Sequence, residues 1–161
     1  MMGGRLLFAI LAAMVVLSGC SALPQPPGPQ TTYQIDPPTT DLPRFASTGV
    51  ASLRVMPATA DAAYDTRQMA YEESGYRLGY FAENRWVAPP AVMIRTRLVS
   101  ALEFSGMVGR VLDGRNGLDG DYRLRLHLSR LQQDFTRSPS EVRLTLRLQL
   151  VDSRAGTVVA S

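Results

Sequence analysis

Few side chains in this sequence can do chemistry, and each stands nearly alone. Among 161 residues there is one cysteine, Cys20, and one histidine, His127. A single thiol closes no internal disulfide. One imidazole and one thiol do not assemble a soft-ligand metal site, so neither metal nor cofactor is expected. His127 falls in the polar phase of an alternating segment, between Arg125 and Ser129. Nucleophilic hydrolysis would call for a serine elbow, and the sequence has no G-x-S-x-G. Glu72 and Glu73 are adjacent, so on a strand they point apart, and nothing in the pattern motivates an acid–base pair. Gly114, Gly117 and Gly120 are spaced somewhat like a phosphate loop, but the chain has no lysine. A strand follows where a phosphate loop requires a helix, and a turn is expected instead. No catalytic residue is assigned, and the chain reads as a non-enzyme.

Cys20 is the exception, because its position is informative. Arg5 and the terminal amine form a short basic region, and Leu6 to Leu17 is apolar throughout. That run of about twelve residues is short of the roughly 20 a membrane span needs, and fits a signal-peptide core. The stretch Leu17-Ser18-Gly19-Cys20 resembles the lipobox of bacterial lipoproteins. The resemblance implies cleavage between Gly19 and Cys20, a diacylglycerol on the Cys20 sulfur, and an acyl chain of palmitate type on the new amine. Three chains hold far more firmly than one, since each buried methylene adds about 0.8 kcal/mol. Ser21 occupies the position where an aspartate would mark inner-membrane retention. It resembles the class held at the outer membrane, facing the periplasm.

The remaining composition fits one globular unit. The apolar fraction of 45% is too high for general disorder. Seventeen basic and fourteen acidic residues give +3, and +2 once Arg5 leaves with the leader. That balance gives no sign of nucleic-acid binding. Three parts follow: a signal peptide at 1–19, a Pro-rich lipid-anchored tether at 20–45, and a folded domain at 46–161. Within the tether, Thr31 to Asp36 reads as a short edge strand. In the domain, Val50 to Met56 reads as a strand and Ala58 to Asp65 as a loop. A hairpin turns at Glu73-Ser74-Gly75. Ala91 to Ser105 is a helix with Ala91, Ile94, Leu98, Ala101 and Leu102 on one face and Gly106 as its cap. Val108 to Leu112 reads as another strand. Tyr122 to Ser129 and Val142 to Leu150 alternate strictly, so each should have one buried and one wet face. The fold class is α+β: a mostly antiparallel sheet with a helix packed on one face. A closing C-terminal helix is expected to be missing after Ser161, where a short strand makes a weak finish. Arg123, Arg125, Arg143 and Arg147 share a phase, either as a solvated face or as a contact for an acidic partner or lipid headgroups. Tyr64, Tyr71, Tyr76, Tyr80, Phe81 and Trp86 form an aromatic group suited to core or interface. Tyr80, Phe81, Arg85 and Trp86 are the candidate partner contacts.

The segment Tyr64 to Gly106 resembles the ABC-type transport auxiliary lipoproteins, the family that includes paraquat-inducible lipoprotein C. The resemblance rests on Tyr64-Asp65, Met69-Ala70-Tyr71, the run from Tyr76 to Trp86, and the proline-led helix ending at Gly106. It extends over roughly Tyr33 to Ser161. It implies an accessory lipoprotein of an MCE (mammalian cell entry) and ABC-type system that moves lipid between membranes. The implied partners are the membrane, MCE-domain and ABC subunits, with room for phospholipid contact and a homo-oligomer. The alternatives are a structural envelope lipoprotein with no transport role and, less favoured, an envelope hydrolase.

Overall fold

A computed structural model describes residues 28–37, 42–45, 49–50, 52–114 and 117–161. The expected leader, the expected cleavage site at Gly19 and Cys20, and the expected lipidation site Cys20 lie outside those residues. Among the described residues the elements are β1 (Thr31–Tyr33), β2 (Leu53–Val55), β3 (Thr59–Ala60), β4 (Gln68–Ser74), β5 (Arg77–Trp86), α1 (Pro90–Ser105), β6 (Val111–Asp113), β7 (Tyr122–Asp134), β8 (Glu141–Asp152) and β9 (Val158–Ala160).

The spine of the sheet is β7. One of its edges takes β2, β3 and β4 in succession, all parallel, opposite Tyr122–Leu124, His127–Leu128 and Gln132–Asp134. The other edge takes β8, antiparallel along its whole length. Outward from these, β6 lies beside β2, β5 beside β4, β1 beside β5, and β9 beside β8. The α+β class is as expected, and the long ladders are antiparallel. The sheet is nevertheless mixed, since five of its eight pairings are parallel. Side-chain alternation reports which face is buried and carries no information on strand direction.

Local differences have physical reasons. Thr59 and Ala60 were expected in a loop but form β3, a two-residue rung fixed by pairing to β7. The hairpin turns at Gly75-Tyr76, one residue later than expected, with Tyr76 at φ 70°. β6 starts at Val111, because Val108 to Arg110 first run past the end of β2, where Leu53 N–H donates to Arg110 O. A bulge between Leu128 and Arg130 shifts the phase of β7 by one residue. It keeps Leu131 on the same face as Leu124, Leu126 and Leu128.

α1 begins at Pro90, whose missing N–H costs nothing in the first turn. It ends at Gly106 in the left-handed conformation, φ 66°. It packs over β3, β6 and β7. The core consists of Leu53, Val55, Ala91, Met93, Leu126 and Leu128, with Ala70 and Val151 buried further out. Of the helix face read from periodicity, Ala91 is buried while Ile94, Leu98, Ala101 and Leu102 are half-buried. Met93 and Arg95 go deeper. At the far end of α1, Arg44 lies 4.9 Å over the Phe104 ring and Phe45 N–H donates to Ser105 O. The expectation of one buried face per alternating strand fails on β8. Val142 is 72% exposed, Leu144 52% and Leu148 40%. The cross-strand partners of Leu148 and Leu144, Leu126 and Leu131, are buried and half-buried, so the covering layer stops at β7.

Candidate functional site

Pairing across β3, β7 and β8 sets Thr59, His127 and Arg147 in one row. Arg125 and Gln149 form the next row on the same face, because strand side chains alternate with period two. These residues line a cavity of about 290 Å³ whose apolar wall includes Met56 and Pro57. The Thr59 hydroxyl lies 2.8 Å from His127 Nδ1, and His127 Nε2 lies 2.9 Å from Asp61 Oδ1. A carboxylate only accepts, so Nε2 donates to Asp61, and in the neutral ring Nδ1 accepts from Thr59. Hydroxyl, imidazole and carboxylate thus stand in sequence. The hydroxyl is the secondary alcohol of an exposed threonine and Asp61 is itself exposed, so both ends of this series face solvent. Their evident effect is to fasten the ring and pin β3 against β7.

The four arginines of this phase divide into two pairs. Arg123 meets Asp119 at 3.2 Å, and Arg143 meets Asp134 at 2.5 Å. Arg54 shares Asp119 at 2.9 Å. Among the described residues, Arg125 and Arg147 have no ion-pair partner, and both face the cavity. Asp134 is held below the usual carboxylate range. The Thr136 hydroxyl and then the Thr136 N–H, donating at 2.5 and 2.8 Å, are the main causes, with Arg143 and Arg137 adding to them. Asp152 is lowered in the same way by the N–H groups of Ala155 and Arg154 at the β8–β9 turn.

The candidate contacts on β5 serve two structural purposes. Phe81 packs against Tyr71 with ring centroids 4.8 Å apart and the rings tilted by 54°, and lies 6.3 Å from Phe135. Tyr80 is on the opposite face, its hydroxyl donating to Ala63 O at 3.1 Å. Arg85 Nη1 donates to Gln30 at 2.7 Å. Trp86 is half-buried; its N–H donates to Arg67 O and its carbonyl accepts from Arg67 Nε. All four therefore have partners within the chain, and the structure does not gather them into one exposed patch. Tyr76, at the hairpin tip, is fully exposed.

Sequence reasoning missed two polar clusters. Arg95, 7% exposed, donates from Nε to Met56 O at 2.8 Å and from Nη2 to Val55 O at 2.8 Å. The same Nη2 reaches Asp113 Oδ1 at 2.5 Å. The Tyr64 hydroxyl donates to Gln132 Oε1, and Gln132 Nε2 donates to Glu72 Oε2 at 2.6 Å. Burial of Tyr64 raises its phenol above the ordinary value, with Arg130 acting in opposition. The one available signal for Arg95 was a charged residue whose neighbours at helical spacing, Ala91, Val92, Leu98 and Val99, are all apolar. No group of three or more metal-ligating side chains occurs among the described residues.

Residues 33–161 match the family model described as ABC-type transport auxiliary lipoprotein component. No curated protein matches the chain. A solved structure, protein XCC0632 from Xanthomonas campestris, of the DUF330 family model, superposes with a TM-score of 0.67 at 23% identity. The match covers 81% of this chain and 72% of that one. An uncharacterized protein superposes at 0.60 with 15% identity, over 81% and 74%. At these identities the two structures are similar in fold.

Proposed function

The chain belongs to the ABC-type transport auxiliary lipoprotein family, and from that premise we propose that it serves as the lipid-anchored accessory subunit of an MCE/ABC system moving lipid between membranes. In this reading it is a docking or scaffold component, anchored at the outer membrane through Cys20 and facing the periplasm, and it has no enzymatic activity. The observation that carries the reading is the family match running from Tyr33 to Ser161.

Two features of the fold support it. β8 leaves Val142, Leu144 and Leu148 in solvent, an apolar strip of the kind that marks a contact surface. The described chain is also fastened upstream of the domain. β1 pairs with the end of β5, Arg97 meets Asp36 at 2.9 Å, and Arg97 Nε donates to Ile35 O. A chain running from Cys20 to Gly28 spans at most about 29 Å. An anchor at Cys20 would therefore hold the β1 edge close to the bilayer.

Crosslinking in intact cells followed by membrane extraction tests the reading. Recovery with MCE-domain and ABC subunits is the expected result, and recovery of the chain alone overturns it. Cys20→Ser should abolish fatty-acid labelling and release the protein from membranes. Persistent label would refute the anchor. The sequence Thr59–His127–Asp61 gives the hydrolase reading its one foothold. Turnover of an ester or glycoside that disappears in His127→Ala would establish it.

A further inference from the structure

We propose that the cavity between β3, β7 and β8 binds a phosphate oxyanion, gripped by Arg125 and Arg147. The two arginines are diagonal neighbours on an antiparallel pair: Arg125 is opposite Gln149, and His127 is opposite Arg147. Diagonal positions lie about 7–8 Å apart, within reach of two long side chains converging on one anion. Like charges placed this way repel, and a solvated stripe normally includes counter-charges. This stripe does so at Arg123 and Arg143, which meet Asp119 and Asp134. It does not at the two positions that face the cavity. No carboxylate lines the cavity, and the nearest one placed by hydrogen bonding, Asp61, is held by His127.

The remaining walls narrow the ligand class. Guanidinium forks match the paired oxygens of a phosphate better than a point charge does. Met56 and Pro57 supply an apolar wall beside the two forks. An amphiphile with a phosphodiester head fits both halves, whereas inorganic phosphate would use the forks alone. The site rests on the geometry of β3, β7 and β8, independently of the transport reading; a lipid source would deepen that reading.

The test uses the full chain carrying Cys20→Ser, purified in a non-ionic detergent and probed in three arms. These are inorganic phosphate, micelles doped with phosphatidylglycerol, and micelles doped with phosphatidylcholine. Saturable binding of phosphatidylglycerol, weakened about tenfold or more by Arg125→Glu and by Arg147→Glu, is the expected result. Arg77→Glu makes the same change of charge at the hairpin tip, away from the cavity, and should leave binding intact. Raising the salt to about 1 M, where the Debye length is about 3 Å, should weaken binding. Arg147→Gln should unfold at the parent's urea midpoint or slightly above it, since it relieves repulsion; this separates a lost site from a lost fold. Saturation by inorganic phosphate with no gain from the lipid supports the site and assigns it a free phosphate. Phosphatidylcholine has the same phosphodiester but offsets it with a choline cation, and should bind more weakly than phosphatidylglycerol. Two results overturn the proposal: no saturable binding of any of the three phosphate-bearing probes, or equal loss in Arg77→Glu. Neither depends on whether MCE or ABC subunits co-purify, so the two readings can fail separately.

Discussion

Replacing Arg95 by leucine should cost the fold about 3 kcal/mol. The guanidinium is 7% exposed and makes three contacts, to Val55 O, Met56 O and Asp113 Oδ1. β2 ends at Val55, and the chain leaves through Met56 and Pro57. The two carbonyls therefore sit where the ladder stops, and Arg95 supplies their donors from α1. Removing one partner of a buried ion pair typically costs about 3–5 kcal/mol. The lower end applies because the Asp113 side chain is 34% exposed and can recover water. The carbonyl of Val55 cannot, since that residue is fully buried, and an unmet buried acceptor costs about 1–3 kcal/mol. Leucine refills much of the aliphatic volume, so a cavity adds little. With a urea slope of about 2 kcal/mol/M, the midpoint should fall by roughly 1.5 M. Fluorescence of Trp86, the chain's single tryptophan, and far-UV circular dichroism should report the same shift. Asp113→Asn keeps an acceptor in place and should cost only about 1 kcal/mol. Two outcomes would refute the reasoning. A loss below about 1 kcal/mol for Arg95→Leu would mean that the carbonyls find other donors. Equal losses for Arg95→Leu and Asp113→Asn would mean that the ion pair alone carries the effect.

Gly79→Ala should destabilise by about 1–3 kcal/mol in urea unfolding, because its new Cβ would lie 2.5 Å from Cζ of the Tyr71 ring. Adding Tyr71→Ser should make the two changes non-additive, and strict additivity would contradict the contact. The carboxyl of Asp134 titrates lower in the folded state than in the unfolded chain, so its stabilising effect is present above the unfolded value, near pH 4, and is lost as pH falls through the folded value. Asp134→Asn should therefore be less stable than the parent at pH 7, and the gap should close in acid; a gap independent of pH would contradict this. Tyr64 shows the opposite sign. Its raised phenol favours the neutral form, so the parent should lose stability above about pH 10 and Tyr64→Phe should not show that loss. Leu144→Glu, at a position 52% exposed, should shift unfolding by less than about 1 kcal/mol yet weaken recovery of the partner in crosslinking.

Much of the fold was legible because local rules act within a few residues. Pro90 opens α1 and Gly106 closes it, as fixed φ and a left-handed cap require. The alternation around Leu124 to Leu128 and Leu144 to Leu150 marks β7 and β8, and Thr31–Tyr33 is an edge strand, as its flanking prolines suggest. The candidate site was legible only as residue types. Four arginines in one phase could be read from the sequence, but not that Asp119 and Asp134 neutralise two of them and leave Arg125 and Arg147 facing a cavity. Those carboxylates are brought in by a loop and by the end of β7, and no periodicity describes that.

The sequence by itself determined which of the longer segments become strand or helix and that one thiol follows an apolar run, since both depend on near neighbours along the chain. Only the tertiary structure decided strand direction, the insertion of β3, the burial of Arg95 and the exposed apolar face of β8. Each of these depends on pairing or covering by residues some 10 to 70 positions away, and single-strand alternation is the same whether a second layer covers that face or not.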